Sequence, residues 1–365
     1  MSKYESGITD INVLVRRLGY VSAILRLLEH NTLSESMLYS RLEKWSLDHK
    51  QDFATYPNPQ GFINATREQT GPKRYTNLAV SLGLVGRIAG ACRVTRFGKT
   101  LLPFLDQGPD RNPFELIYAE QCAYLYWLLV KDSDQFLTVI RILAEESPQS
   151  LSDLQSFFPE CYRQQLQAHM LTAEKHIARD ILAVRNRVEH WGKVPKRTLE
   201  NIVPPRVHWL IDLGLVSTED SKGKPPQLTT TGIRFYKNLP KIREGIPAVH
   251  RNAWLRNSFF GVVGQIFTDE PARMWSKIKP EKKKELLNKL AFGALETLRS
   301  TPIPKISLYP ALIYMVLLLT VDNGIAANLE ELRADLDIFS KDSDTQYAVR
   351  FSHRENESYL IFFPT

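Results

Sequence analysis

The apolar residues between positions 75 and 82 recur at the three- and four-residue spacing of a helix, and Gly83 follows them directly. Because glycine readily adopts the left-handed conformation that ends many helices, the pattern predicts a helix that stops at Gly83. A strand at Leu84–Val85, a Gly-rich turn, a second strand at Arg93–Thr95 and an apolar run behind Gly98 complete the unit. The predicted order is a helix, a two-stranded hairpin and a further short helix.

A looser copy of the same pattern lies between positions 206 and 239. Gly214 takes the place of Gly83, Gly232 takes the place of Gly98, and the turn between the two predicted strands is three residues longer. One pattern that occurs twice in a chain of this length predicts two domains of the same architecture.

A pair of predicted helices precedes each copy. The sequences LRLLEHNTLSESML, from Leu25, and IRILAEESPQSLSDL, from Ile140, each contain a helix, a short break and a Leu-Ser pair followed by an acidic residue. Serine accepts hydrogen bonds from the free N–H groups at a helix start, so Ser34 and Ser152 are predicted N-caps. A third echo lies between positions 317 and 336, where Asn328 is the predicted cap.

Three helices followed by a two-stranded wing is the order of a winged-helix domain, and both copies resemble that superfamily. The resemblance is carried by an LGLV motif followed by a threonine and a glycine, at Leu82–Gly98 and again at Leu213–Gly232. It covers roughly positions 19–105 and 136–239. It implies that helix 3 of each copy enters the major groove of DNA with the wing beside it, or that these elements contact protein.

Both copies depart from the minimal winged helix in the connection between helix 2 and helix 3. In the first copy this connection, DFATYPNPQGFINATREQTGPK from Asp52, is rich in Pro, Asn and Gly and is expected to form an exposed loop. In the second copy it contains a predicted helix near positions 164–190. Helices near 253–267 and 281–298 and a closing β-hairpin are predicted beyond it. A third winged helix with a missing or degenerate recognition helix is an alternative for this part.

The expected fold class is therefore mainly α with small β-wings: tandem winged-helix domains and a helical C-terminal domain that ends in a β-hairpin. The apolar run Tyr118–Val130 is expected to be a buried linker helix between the two winged units. The expected domains are a first winged helix at 1–107, the linker and a second winged helix with a helical insertion at 108–240, and the C-terminal domain at 241–365.

Composition adds a weak charge signal. The 365 residues carry a formal net charge of +7, which permits an anionic partner such as nucleic acid without requiring one. Cys92, Cys122 and Cys161 lie far apart without metal-ligand spacing and are expected to be reduced core thiols. The chain shows neither a signal-peptide pattern nor an apolar run of membrane length. We therefore expect a cytoplasmic protein with no metal, no other cofactor and no membrane partner.

The helix that ends at Gly83 is the first candidate for DNA contact. With its apolar residues inward, basic and polar residues face out, and such residues neutralise phosphates or pair with base edges. A merely solvated helix face is the alternative. The predicted contacts are Lys73, Arg74, Thr76, Asn77 and Ser81 on the helix and Arg87, Arg93 and Arg96 on the wing.

The second copy offers fewer such residues. Its helix 3 carries Arg206 and His208 but also Asp212, so it is expected either to contact DNA through Arg206 or to dock on a partner or on the first copy. A basic stretch precedes it, with a solvated amphipathic helix as the alternative, and a lysine cluster at positions 277–284 is a further hint of a phosphate partner. The basic stretch contains Lys175, Arg179, Arg185, Arg187, Lys193, Lys196 and Arg197.

One short pattern has a catalytic interpretation. The sequence RNRVEH resembles the Arg-Asn-then-His pattern of HEPN-type ribonucleases, which implies RNA cleavage by Arg185 and His190. A HEPN fold needs a bundle of long helices, whereas this segment interrupts a winged helix. P-loop, dinucleotide-binding and zincin motifs are absent from the sequence. We therefore expect a protein without enzymatic activity.

The expected function is the binding of double-stranded DNA, by a transcription regulator or by the DNA-recognising subunit of a mobile-element or antiviral defence system. The alternative is a protein-interaction subunit that resembles the tandem winged-helix kite proteins of SMC-type complexes. Other subunits and a second copy of the chain are the further expected partners.

Overall fold

Helices dominate the chain, and its described strands form two three-stranded and two two-stranded sheets. This confirms the expected fold class, mainly α with small β-sheets. The structure, a computed structural model, describes residues 11, 14–56, 60–105, 108, 111–190, 197–217, 225–241, 245–247, 253–268, 270–342, 345–352 and 358–363.

The first unit, residues 19–105, has the element order of a winged helix. Its elements are α1 (Gly19–Leu28), β1 (Leu33–Ser34), α2 (Glu35–Asp48), α3 (Lys50–Thr55), α4 (Thr70–Ser81), β2 (Val85–Ile88), β3 (Ala91–Val94), α5 (Arg96–Lys99) and α6 (Leu102–Leu105). The strands form a sheet in the order β1-β3-β2, all antiparallel. Helices α1, α2 and α4 pack on one another, and Tyr75 and Leu78 of α4 are buried between them.

The connection between α2 and α4 is in part the exposed loop that the sequence predicts, since residues 64–68 are exposed, but three of its apolar residues are not. Phe53, Tyr56 and Ile63 are buried, and the first of them lies in the short helix α3. The Ile63 N–H donates a hydrogen bond of 3.0 Å to the hydroxyl of Tyr20 in α1. These apolar residues anchor the connection, because they complete the core beside α1.

The second unit, residues 133–239, repeats the order with an inserted helix. The helix expected near 164–190 is two helices, α9 and α10, which pack against each other. The run that was expected to form a buried helix does so, as α7. The elements of this part are α7 (Tyr118–Lys131), α8 (Ser133–Glu145), α9 (Leu151–Thr172), α10 (Lys175–Val188), α11 (Arg197–Asp212), β4 (Val216–Ser217), β5 (Gln227–Leu228) and α12 (Thr230–Asn238).

The threonine and glycine of the repeated motif form the same contacts in both units. Thr95 accepts a hydrogen bond of 3.1 Å from the Gly98 N–H and donates one of 2.7 Å to the Gly83 carbonyl. Thr229 and Gly232 form the same cap at 3.0 Å. A Cβ atom at Gly98 would lie 2.3 Å from a backbone carbonyl oxygen, and one at Gly232 would lie 2.1 Å from another. The motif therefore marks where the helix after the wing crosses the hairpin at a distance that only glycine allows.

The C-terminal part contains a third unit, residues 280–362, with the winged-helix order. Its sheet has the order β7-β10-β9, which matches β1-β3-β2 of the first unit. The position of the recognition helix is occupied by α17, so that helix is present. The elements are α13 (Ala253–Asn257), α14 (Phe259–Ile266), β6 (Arg273–Met274), α15 (Pro280–Leu298), β7 (Lys305–Ser307), α16 (Leu308–Asn323), β8 (Ile325–Ala326), α17 (Leu329–Phe339), β9 (Tyr347–Arg350) and β10 (Tyr359–Phe362).

Two of the three predicted helix caps are confirmed. Ser34 accepts a hydrogen bond of 3.3 Å from the Met37 N–H. Asn328 is the N-cap residue of α17, where its N–H donates a hydrogen bond of 2.9 Å to the Glu331 carboxylate and its side-chain carbonyl accepts one of 2.9 Å from the Gly261 N–H. The prediction for Ser152 is wrong, because α9 begins earlier and Ser150 accepts the hydrogen bond of its third residue at 3.0 Å.

Helix α11 of the second unit docks on the segment that enters the first unit. The side chains of Arg17 and Asp212 form an ion pair and are 0% and 1% exposed. Asp212 also accepts hydrogen bonds from the Leu18 N–H at 2.7 Å and from the Tyr56 hydroxyl at 3.1 Å. Trp209 donates from Nε1 to a backbone carbonyl of the same segment at 3.1 Å. Of the alternatives for this helix, namely contact with DNA, with a partner or with the first copy, the structure shows the last.

Replacing Arg17 by Met should destabilise the protein strongly, because it leaves the Asp212 carboxylate buried without its cation. We expect the free energy of unfolding in urea to fall by about 3–5 kcal/mol. Arg16→Met is the matched control, since Arg16 is only half-buried and its removal should cost under about 1 kcal/mol. Equal decreases in the two variants would show that the ion pair does not hold the units together.

Candidate nucleic-acid interface

Helix α4 presents one basic and polar face to solvent. Lys73, Arg74 and Ser81 are exposed and Asn77 is half-buried. At about 100° per residue these four positions fall within an arc of about 100°. The helix contains no acidic residue. Within the described part of the chain neither Lys73 nor Arg74 forms an ion pair, so both charges are available to a partner.

Thr76 does not belong to this face, which corrects the prediction from the sequence. The side chain is 0% exposed, on the flank of α4 that packs into the core. Its hydroxyl is buried without a hydrogen-bond partner in the described structure. The error arises because Thr76 lies about 60° around the helix from Lys73, at the boundary where tertiary contacts decide which residues are covered.

The start of α4 is tied to α2 by Gln69, whose backbone is left-handed with φ of 48°. The Gln69 side-chain amide donates to the Ser40 hydroxyl and to the Glu43 carboxylate, each at 3.1 Å. Lys44 lies one helical turn after Ser40, and Arg67 precedes the start of α4; both are exposed. The sequence analysis did not identify these two cations. For Lys44, the available signal was its position four residues after Ser40, on the same face of α2.

The wing carries its basic residues on two different faces. In the antiparallel pair of β2 and β3, Arg87 lies opposite the buried Cys92, and Arg93 lies opposite Gly86. Residues directly opposite share a face and neighbours alternate, so Arg87 and Arg93 point to opposite sides of the wing.

Arg87 is held beside α4. Its guanidinium forms an ion pair of 2.9 Å with Glu35 and donates a hydrogen bond of 2.9 Å to the side-chain carbonyl of Asn77. Arg96, which follows the wing, instead donates to the hydroxyl of Ser307 in the third unit. The predicted wing residues are therefore divided between the α4 face and a second location next to the third unit.

The candidate residues of α11 are buried. Arg206 is 0% exposed and pairs with Asp132, with 2.7 Å between Nε and Oδ2. His208 and Asp212 are 8% and 4% exposed. The prediction that Arg206 contacts DNA is therefore wrong, because its charge is used inside the protein.

The basic stretch before α11 is only partly aligned. Ile177, Ile181, Val184 and Val188 form the buried stripe of α10. Lys175 and Arg179 are exposed one turn apart on the opposite side, whereas Arg185 and Arg187, two residues apart, point to opposite flanks of the helix. The predicted contacts Lys193 and Lys196 and the side chain of Arg197 lie outside the described residues.

The proposed ribonuclease residues have partners on their own helix. Arg185 lies 3.4 Å from the Glu189 carboxylate, and Nδ1 of His190 is 2.9 Å from the Asn186 carbonyl oxygen. Both contacts lie at the C-terminal end of α10. The catalytic interpretation stays a hypothesis.

Helix α17, which takes the place of α4 in the third unit, is acidic. Along α17, four carboxylates accompany one arginine, Arg333, so a phosphate would be repelled. The lysine cluster at 277–284 is largely committed to carboxylates, since Lys283 pairs with Asp335 of α17 at 2.9 Å and Lys284 pairs with Asp342 at 2.7 Å. The cluster is therefore a poor candidate for a phosphate site.

Other site types find no support in the described residues. They contain no group of three His, Cys, Asp or Glu side chains placed to hold a metal ion. Cys92, Cys122 and Cys161 are free thiols in the core, and burial raises the pKa of each. Across the described helices, none combines the length and apolar character that a membrane crossing needs.

Comparisons with known proteins do not assign this chain to a family. No protein-family model matches the chain, and no curated protein matches it. Among solved structures, the restriction endonuclease FokI is similar at a TM-score of 0.30 and 10% sequence identity over 98% of this chain. The chain spans 63% of the length of that protein. A TM-score of this size does not establish a shared fold.

His208 makes the docked interface sensitive to acid. Burial, reinforced by the positive charges of Arg17 and Arg16, lowers the pKa of His208 from 6.5 to about 3. Between these values the unfolded chain binds a proton that the folded protein excludes. The stability due to neutral His208 is therefore complete above about pH 6.5 and is lost as the pH falls toward 3.

We expect this group to lower the free energy of unfolding by about 1.4 kcal/mol for each pH unit below about 6. Urea denaturation of the parent and of His208→Gln, followed from neutral to mildly acidic pH, isolates its contribution as the difference in slope. His176→Gln, which changes an exposed histidine, should keep the slope of the parent. A parent and a His208→Gln variant with the same slope would contradict the role of His208.

Proposed function

We propose that the protein binds double-stranded DNA through α4 and the adjacent wing of the first unit. The observation that carries the proposal is a difference among the three helices in the recognition position. Helix α4 is exposed and carries two cations without an acid, α11 is buried against the first unit, and α17 is acidic. Of these helices, α4 alone has the charge and accessibility that a phosphate backbone requires.

In this proposal α4 enters the major groove and its polar face does two different tasks. Lys73 neutralises backbone phosphates, whereas Arg74 and Asn77 are placed to read base edges, since arginine pairs with guanine and asparagine with adenine. Arg87 acts through Asn77: its hydrogen bond of 2.9 Å to the Asn77 carbonyl orients the amide before DNA arrives. Lys44 and Arg67 would add phosphate contacts beside the start of α4.

The proposed role is that of a regulator, or of a DNA-recognising subunit of a mobile-element or defence system, in the cytoplasm. It assigns the chain a binding function and no reaction. The kite-like alternative, in which the winged units contact other proteins, is favoured by one feature, the acidic and partly exposed helix α17. Further subunits would find that surface free when α4 is occupied by DNA.

Replacing Arg74 and Asn77 together by Ala should weaken DNA binding by roughly 1–3 kcal/mol for each base that the variant no longer reads. The measurement is fluorescence anisotropy with duplexes selected from a random pool by the parent protein. The decrease should be larger for the selected duplexes than for unrelated ones, because base contacts carry the specificity.

Thr76→Val is the matched control on the same helix. Because Thr76 is buried and its hydroxyl is unpartnered, this variant should bind DNA as the parent does and be at least as stable. If the parent shows no affinity for duplex at about 50 mM salt, where phosphate contacts are strong, the protein-interaction alternative is preferred.

A further inference from the structure

A groove runs between the outer face of the first wing and the sheet of the third unit. It consists of two adjoining cavities of about 570 and 400 Å³, which share Arg96 and Ser300 in their walls. Helix α5 of the first unit packs against α15 of the third, which holds the two walls of the groove together. We call it the outer-wing groove.

The outer-wing groove is lined by cations from two units. Arg87 lines the larger cavity but is paired with Glu35; the other four cations are Arg93, Arg96 and Lys99 of the first unit and Lys305 of strand β7 of the third. Within the described residues none of these four forms an ion pair. Glu29 is the one carboxylate among the described residues of both walls. Four like charges around one groove repel each other, and an anion in the groove would relieve that repulsion.

The neutral groups of the groove also suit a phosphodiester. Ser300 is exposed in its wall and offers a hydroxyl donor, whereas the hydroxyl of Thr301 already donates a hydrogen bond of 3.5 Å to the Ile303 carbonyl. Arg96 is oriented by its hydrogen bond to the Ser307 hydroxyl, and Lys305 lies 5.3 Å from the ring centre of Tyr359. These interactions fix the direction of two cations without neutralising them, which preserves their attraction for phosphate oxygens.

The groove extends beyond the α4 face, although Arg87 contributes to the wall of the larger cavity as well as to that face. Arg93 lies on the opposite side of the wing from Arg87, which is bound to Asn77 of α4. A phosphate strand next to α4 therefore cannot account for Arg93, Lys99 and Lys305.

We propose that the outer-wing groove binds the phosphate backbone of the duplex that flanks the segment read by α4, with the third unit supplying Lys305. This inference rests on the proposed DNA-binding function and extends it. In this arrangement α4 lies on one side of the wing and the third unit lies on the other. The third unit contributes through the edge strand of its sheet rather than through its acidic helix α17.

The test compares Arg93→Gln/Lys305→Gln with a variant from which equal charge is removed elsewhere, Lys279→Gln/Lys289→Gln. Both pairs of positions include exposed side chains only. The affinity for duplexes of about 10 and about 21 base pairs, one and two helical turns, is measured over a range of salt concentrations. For the longer duplex, the groove variant should lower the slope of log affinity against log salt by about 0.9 for each phosphate that it no longer neutralises, independent of sequence.

The charge-matched control should keep the slope of the parent. A groove variant that matches the control on both duplexes overturns the groove while leaving the α4 interface intact. Lys99→Gln provides a second variant should the double one fold poorly, and it should lower the slope by about 0.9.

A parent that binds neither duplex contradicts the proposed function, and the groove is then judged by calorimetry with sodium tripolyphosphate. Binding that disappears in the groove variant, but is kept in the control and in Arg74→Ala/Asn77→Ala, supports an anion site independent of duplex DNA. Absence of tripolyphosphate binding by the parent then overturns the groove as well.

Discussion

The ion pair between Arg17 and Asp212 fixes how the first two units face each other. Both side chains are removed from water, at a cost of several kcal/mol for each charge unless partners replace the missing hydration. Burial alone raises the pKa of Asp212, and Arg17 opposes this shift. The Leu18 N–H and the Tyr56 hydroxyl complete the shell around the carboxylate. Helix α11 therefore cannot turn toward a nucleic acid without leaving charges unpaired in the interior.

Because α11 is buried in this interface, the repeated units do not all present the corresponding helix to a partner. The first two units share an element order, but the second uses α11 to dock on the segment that enters the first. The third copy surrounds an acidic helix with lysines from α15, so its charges are largely satisfied internally. Only the first copy keeps a helix whose charges have no partner within the described residues. Three similar units thus have three different electrostatic roles.

Local features were predictable from the sequence because their causes are local. The left-handed glycines Gly83 and Gly214 have φ of 77° and 71°, and the caps Ser34 and Asn328 act within four residues of their own positions. The burial of Thr76 and Arg206 was not predictable, because burial of a residue on a helix flank depends on which element packs beside it. Arg17 and Asp212 are separated by 195 residues, and no periodicity in a single sequence connects them.

In the wing, strand geometry determines which basic residues can contact the same partner. Along an extended strand the side chains alternate between two faces, so cations that are close in sequence need not serve one partner. Arg87 is directed to α4 through Asn77, whereas Arg93 faces the third unit across the groove. A hairpin with charge on both faces is suited to lie between two phosphate strands, because each face then meets its own anion. The same charges on a single face would repel one another and leave the other side of the wing without attraction for nucleic acid.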